Sequence, residues 1–390
     1  MKLGILTLAR ADSYGEILQN YALVLTLKEL GHEPTTIDFQ WRAFKSKRSW
    51  EYSTAEKLYF LMRNIARKCI KPYKKFRSSP TFEEWCIITK ELREFEKKYI
   101  PMTEFISDLR HEDQLESYKF EGYVVGSDQV WRPSLVDGHL RTFFLDFIAE
   151  DSPVKRVAYG ACWGTREWAA SNKAKGKCAL LAKRFDAISV RQESSVQICK
   201  DTLGVNVEWV LDPTLLRVQD DYRSLLRPEH EMRTSGNILE VFLNSLQKEQ
   251  FSQLLSQKLK KPIIKFMPYF FSQRKDGDTL SKFTFPSIES WISAFANADF
   301  VITDSFHGMC FCLIFEKPFF VTLGEEAFGR FEYISRLLDI EDRIFTIKDF
   351  KRFKNSIDTN QCKMNYDSIR ERLSVARKSS IAFLQKNLKN

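Results

Sequence analysis

Two α/β units, each built on a parallel sheet, are what this sequence predicts, and three observations predict it. Short β-branched or apolar runs alternate with helical patterns along the chain. The 390 residues, 44% hydrophobic and 28% charged, supply material for two packed cores. Gly, at 15, and Pro, at 12, are too scarce for long flexible linkers, so the units should be joined by short segments.

Taken in order, the first strand is expected over Lys2 to Leu8, and the helix after it over Glu16 to Leu30, stopped by Gly31. Strands then follow at Gly122 to Val125, Arg156 to Cys162 and Asp186 to Val190. A helix over Ser194 to Leu203 ends at Gly204, and a further strand runs from Val207 to Leu211. That half, residues 1–218, reads as Rossmann-like. After a polar stretch near 217–236 the alternation restarts at Asn237 to Leu243, Pro262 to Met267, Phe300 to Thr303 and Pro318 to Leu323, giving a second such unit over 219–365. The tail carries Ile369, Leu373, Ala376, Ile381, Leu384 and Leu388 on a polar background, an amphipathic helix over 366–390 suited to crossing back to the first unit. Open sheets of this kind bind ligands beyond the carboxyl ends of their strands, so two facing units imply a cleft lined by strand-to-helix loops.

Composition narrows the function classes. The 8 Cys show no C-x-x-C and no His at zinc-ligand spacing, so neither a metal site nor a disulfide framework is expected, and a reducing cytoplasm fits. The N-terminal apolar stretch meets Arg10 and Asp12 before it is long enough for a signal peptide, and no apolar run approaches the roughly 20 residues of a spanning helix. Net charge is +9, yet residues 41–80 alone hold twelve basic residues against Glu51 and Glu56, so the basicity belongs to one segment. Within it Leu58, Leu61, Met62, Ile65 and Cys69 share a helical face. Two readings stay open: a solvated helical insertion that packs this stripe on its parent unit, or docking on an anionic membrane leaflet. No nucleic-acid signature accompanies it.

Four loops carry candidate chemistry. The first, Arg10-Ala11-Asp12-Ser13-Tyr14-Gly15-Glu16, opens a helix whose N-terminus offers free N–H groups, but it lacks the G-x-G-x-x-G fingerprint. The second, Gly126-Ser127-Asp128-Gln129-Val130-Trp131, puts a carboxylate, an amide and an indole within six residues, a set suited to sugar hydroxyls and a pyranose face. The third ends a strand at Arg191-Gln192-Glu193, where an ion pair with Glu193 or a neighbouring helix is expected. The fourth, Thr303-Asp304-Ser305-Phe306-His307-Gly308, precedes a helix expected over Met309 to Phe315 and places one of only five histidines where such a sheet puts its chemistry. No G-x-S-x-G elbow and no Walker A lysine loop is present.

The segments D-S-Y-G-E-I-L-Q-N-Y-A-L (12–23), G-S-D-Q-V-W (126–131), S-V-R-Q-E-S (189–194), V-L-D-P-T-L-L (210–216), D-S-F-H-G (304–308), K-P-F (317–319) and G-R-F-x-x-I-x-x-L-L (329–338) together resemble the polysaccharide pyruvyl transferase family. The resemblance implies a GT-B-like fold and transfer of an enolpyruvyl unit from phosphoenolpyruvate, as co-substrate and without another cofactor, to a saccharide as a pyruvate ketal. It implies His307 as general acid, Ser305, Gly308 and Arg330 on the donor, and Asp128 as acceptor of a hydroxyl proton; Lys265, at the end of another strand of the second unit and covered by no family motif, is a weaker candidate for the donor. Tyr14, Gly15, Gln19, Gln129 and Trp131 would line the acceptor wall. Acceptors in such pathways are commonly lipid-linked at the inner leaflet, which is compatible with the basic segment. Ser305 stands where some relatives carry Arg, as R-x-H, and Gln192 interrupts an Arg-Glu pair. A nucleotide-sugar glycosyltransferase and a non-catalytic saccharide binder are the alternatives.

Overall fold

The computed structural model describes residues 1–8, 12–39, 80–106, 109, 113–136, 138–243, 248–324, 329–357 and 362–389. Arg10 and Ala11 of the first loop, and the basic segment up to residue 79, lie outside these.

A six-stranded sheet contains β1 (Lys2–Leu6), β2 (Glu33–Thr36), β3 (Gly122–Val125), β4 (Lys155–Ala161), β5 (Ala187–Val190) and β6 (Glu208–Trp209), in the order β2-β1-β3-β4-β5-β6. A five-stranded sheet contains β7 (Ile238–Val241), β8 (Ile263–Lys265), β9 (Phe300–Thr303), β10 (Phe319–Leu323) and β11 (Ile344–Thr346), in the order β11-β10-β9-β7-β8. Every pairing is parallel. β2 and β11 were not expected from the sequence. Both are edge strands, short and poor in apolar alternation, and Pro34 is tolerated in β2 because an edge strand can spare an N–H.

Side-chain alternation along the strands divides the core into layers. Leu3, Ile5, Val124, Val157 and Tyr159 of the first sheet join Leu239, Val241, Val301, Phe319 and Val321 of the second in one continuous apolar cluster. Leu6, Tyr123, Val125 and Ala158 face a separate core on the far side of the first sheet, and Ile238, Phe300, Ile302, Phe320 and Phe345 face another behind the second. The helices fill the shared layer: Tyr14–Glu29 runs through it, and Tyr14 stacks on Trp291 of the Ile288–Asn297 helix, 5.7 Å between ring centroids.

The C-terminal helix, Tyr366–Asn387, touches both sheets' helices and loops. Near its start the Tyr366 hydroxyl donates to the Lys317 carbonyl (2.5 Å). Toward its end Ser380 Oγ accepts from the Leu211 amide (2.9 Å), Arg377 Nε donates to the Leu215 carbonyl (2.8 Å), and Phe383 packs by Tyr159. The molecule is therefore α/β, with two Rossmann-like parallel sheets laid out in a GT-B-like manner. No helix among the described residues is long and apolar enough to cross a membrane.

Candidate functional site

In each sheet the strand order reverses at one place, between β1 and β3 in the first and between β7 and β9 in the second. Doubly wound sheets open a crevice at that point. The loops leaving β3 and β9 meet there.

From the second sheet, β9 ends at Thr303, whose hydroxyl donates to the Val241 carbonyl (2.8 Å) and accepts from the Ser305 amide (3.0 Å). Ser305 then caps the Phe306–Ile314 helix by accepting from the Gly308 amide (3.2 Å). The helix therefore begins three residues before the expected Met309, and Gly308 spends its N–H on the cap instead of offering it to a ligand. A Cβ on Gly308 would sit 2.5 Å from Thr303 Oγ1, so only glycine fits that cap. Asp304 is tied down by Lys248 Nζ (2.5 Å) and the Leu243 amide (2.6 Å).

His307, second in its helix, faces the first sheet. Its Nε2 lies 3.4 Å from Asp212 Oδ2, in ion-pair reach but outside hydrogen-bond geometry. On the other side of the ring, a Cβ placed on Gly15 would come within 2.0 Å of Nδ1. Gly15 is thus a seat for the imidazole, which corrects its assignment to the acceptor wall. Its helix is started by Ser13, whose hydroxyl accepts from the Glu16 amide.

From the first sheet, Asp128 adopts a left-handed conformation (φ 76°) just after β3, turning its carboxylate toward the strand ends. Arg191, at the end of β5, donates to Asp128 Oδ1 (2.5 Å) and to Asp212 Oδ2, and its Nη1 also reaches Ser127 Oγ (3.3 Å). The same guanidinium lies over the Phe306 ring, 5.0 Å from its centroid, joining the two sheets' loops by a cation–π contact. Asp212 Oδ1 accepts from the Thr214 amide (2.9 Å) and hydroxyl (2.6 Å). The expected Glu193 partner of Arg191 instead pairs with Arg336.

Burial opposes ionisation of both carboxylates, but the Arg191 guanidinium and then His307 outweigh it and hold Asp128 and Asp212 below the ordinary carboxylate range. The structure places Asp128 as a partner of Arg191, and a carboxylate held down in this way is a weak base. Arg330 completes the cluster. Burial lowers its pKa from the ordinary arginine value, with Asp128 and Cys162 pulling the other way, and the group stays cationic. Its Nε is buried without a hydrogen-bond partner. A covered, unpartnered guanidinium N–H is costly unless an anion completes it.

Packing overturns the acceptor-wall expectations for Trp131, Gln19 and Tyr14, while Gln129 and Lys265 are found with protein partners. Trp131 is fully buried, donates Nε1–H to the Phe143 carbonyl (2.8 Å) and stacks on Phe144, so it presents no face to a sugar. Gln19 is also fully buried, its amide spent on Thr7, Glu16 and Ser127. Tyr14 is buried between the sheets and donates to the Pro286 carbonyl (2.7 Å). The Gln129 amide oxygen accepts from Arg132 (2.8 Å). Lys265 is exposed on the edge strand β8, paired with Glu249 (2.9 Å) and Glu240 (3.7 Å). The site thus brings together His307, Asp128, Gly15, Ser305, Gly308 and Arg330, and adds Arg191 and Asp212. Those two stood in the quoted 189–194 and 210–216 segments, each at a strand's carboxyl end, the signal that marks them. Among the described residues no group of three or more His, Cys, Asp or Glu side chains is arranged to hold a metal ion.

No curated protein matches this chain. Among solved structures, the UDP-GlcNAc 2-epimerase of Methanocaldococcus jannaschii in complex with UDP-GlcNAc and UDP is similar at 13% identity and a TM-score of 0.45, over 95% of this chain and 98% of that one. The Neisseria meningitidis UDP-GlcNAc 2-epimerase bound to UDP-GlcNAc is similar at 11% identity and a TM-score of 0.43, over 99% and 100%. Likeness at this level says nothing about chemistry. A family profile described as polysaccharide pyruvyl transferase matches residues 14–323, from Tyr14 to the end of β10. Gly15, Asp128, Arg191, Asp212 and His307 all fall inside that match, which covers most of the sequence, and the chain belongs to the polysaccharide pyruvyl transferase family.

Proposed function

We propose that this chain transfers the pyruvyl group of phosphoenolpyruvate to two hydroxyls of a saccharide, forming a ketal and releasing phosphate. The observation that carries the reading is one buried cluster around Asp128 and Asp212: His307 Nε2 lies 3.4 Å from Asp212, and Arg330, which interacts with Asp128, keeps a covered Nε–H without a hydrogen-bond partner. Arg330 would hold the donor's carboxylate or phosphate by a charge-assisted hydrogen bond.

His307 delivers a proton to C3 of the enol phosphate, which becomes a methyl group while C2 takes on oxocarbenium character. One sugar hydroxyl adds to C2, and a second displaces phosphate from the same carbon. The two hydroxyls surrender two protons: one restores His307, the other leaves with the phosphate. Asp212, 3.4 Å from Nε2, compensates the ring's charge when it is protonated, and the close approach of Gly15 fixes where the ring sits. Arg191 keeps both carboxylates ionised and in place. No redox step occurs. The charge of the basic segment supports contact with an anionic membrane face, where lipid-linked acceptors are presented.

The test is phosphate release by the purified chain with phosphoenolpyruvate and a saccharide panel, together with thermal stabilisation by the donor alone. His307→Gln should lower turnover about 10²–10⁴-fold with donor stabilisation retained. Stabilisation by a nucleoside diphosphate and none by phosphoenolpyruvate would refute the donor assignment.

A further inference from the structure

A cleft of about 710 Å³ has walls from both halves of the chain. Its first wall includes Arg166, Trp168, Glu193 and Gln197, and its second is formed by Glu332 and Arg336. Both walls adjoin the reaction centre along the chain: Glu193 follows Arg191 by two residues, and Glu332 follows Arg330 by two. Gly329 closes the gap between them, since a Cβ there would stand 3.2 Å from Arg166 Cγ and 3.4 Å from Gln192 Nε2.

The chemistry of this lining is that of a polyol site. Three cations face four carboxylates, and they largely cancel, with Arg166 paired to Glu332 (3.2 Å) and Arg336 to Glu193. A cleft so balanced has no field to gather a polyanion such as an enol phosphate, but it offers alternating donors and acceptors to neutral hydroxyls. Thr202 adds a hydroxyl, and Gln197 an amide whose Nε2 donates to Asp201 (2.6 Å) and whose oxygen is left for a ligand hydroxyl, while the Ser194 hydroxyl is engaged by Gln192 and Thr165. Trp168 lines the cleft and packs back against Phe144 and Trp163. The volume is within the range of about 300–1,000 Å³ typical of ligand clefts.

We infer that this cleft binds the saccharide acceptor, holding the sugar residue next to the one that reacts near His307. The inference rests on the proposed reaction and relocates the acceptor from the wall where Trp131 and Gln19 are buried. Thr202→Trp, which fills the cleft, and Gln197→Ala, which removes one amide on an exposed helical turn, probe it without touching the reacting groups.

The probes are p-nitrophenyl hexosides and hexobiosides of galacto, gluco, manno and N-acetylglucosamine configuration. Steady-state phosphate release should give the best hexobioside a KM at least tenfold below that of its monosaccharide. Thr202→Trp should erase that advantage, and Gln197→Ala should raise the hexobioside KM about fivefold, the equivalent of one hydrogen bond. The KM for phosphoenolpyruvate should not move in either variant. Unchanged hexobioside KM values in both variants would overturn the inference. Saturation-transfer NMR without any donor separates it from the reaction: contact of a hexobioside with the wild type, lost in Thr202→Trp, supports the cleft even if phosphoenolpyruvate proves inert. No contact with any hexobioside overturns it whatever the donor.

Discussion

Gly15→Ala isolates the geometry of the imidazole from everything else in the site. The added Cβ would lie 2.0 Å from His307 Nδ1, 2.5 Å from Cγ and 2.8 Å from Cε1. Ordinary contact between such atoms is about 3.5 Å, so the ring must retreat by about 1.5 Å. Misplacing a reacting group by about 1 Å costs on the order of 10²-fold, or about 2.7 kcal/mol in the barrier. Stability should change far less. Gly15 sits in a helix without positive φ, where alanine gains about 1 kcal/mol of propensity against about 1–3 kcal/mol of overpacking that the ring can relieve by turning. The assay is phosphate release from phosphoenolpyruvate in the presence of acceptor, run beside a thermal melt. Gly176→Ala is the control, because a Cβ at that helical position meets open space. Turnover of Gly15→Ala within threefold of wild type, at equal Tm, would refute the claim that the ring's position matters.

Arg330→Met should raise the KM for phosphoenolpyruvate between about tenfold and about 100-fold through loss of a charged hydrogen bond, while Tm rises because a covered, unpartnered N–H is removed; a fall in Tm at unchanged KM would contradict this. Asp128 and Asp212 have folded-state pKa values below their ordinary 3.8, so their contribution to stability is present above about pH 4 and is lost as pH falls toward the folded values. Urea midpoints measured from pH 6 down to pH 3 should therefore drop, and drop less steeply in Asp212→Asn. Trp131→Phe should lower stability by about 1–3 kcal/mol by stranding the Phe143 carbonyl and leave every acceptor KM unchanged; a raised acceptor KM at intact stability would return Trp131 to a sugar-binding role.

The parts of the fold legible in the sequence are those whose signal is local. Phe300 to Thr303 and Gly122 to Val125 are short apolar runs bounded by polar turns, and the structure places β9 and β3 on those residues. β2, with Glu33, Pro34, Thr35 and Thr36, lacked that signal because an edge strand needs few apolar side chains, and β11, only Ile344–Thr346, was too short for its apolar pair to stand out. Ser305 was legible as a loop residue but not as a cap, since Phe306 and His307 obscured the helix start. The same limit governs the site. His307 could be singled out because the carboxyl end of a strand is a local property. Arg191 could not be matched to Asp212, twenty-one residues away, because their meeting depends on β5 and β6 lying side by side. Trp131 misled for a related reason: a polar neighbourhood in sequence does not reveal which way an indole turns, and here it turns into the core behind the first sheet.

The C-terminal helix has a mechanical consequence for catalysis. Its early turn is bolted to Lys317 and its later turns to Leu211, the residue immediately before the carboxylate that confronts the imidazole. It is placed as a splint: any rocking of one sheet against the other would have to strain the Ser380 bond to Leu211, next to Asp212. Trimming the chain ahead of Ser380 would slacken proton delivery from a distance, although nothing in that helix touches the reacting groups.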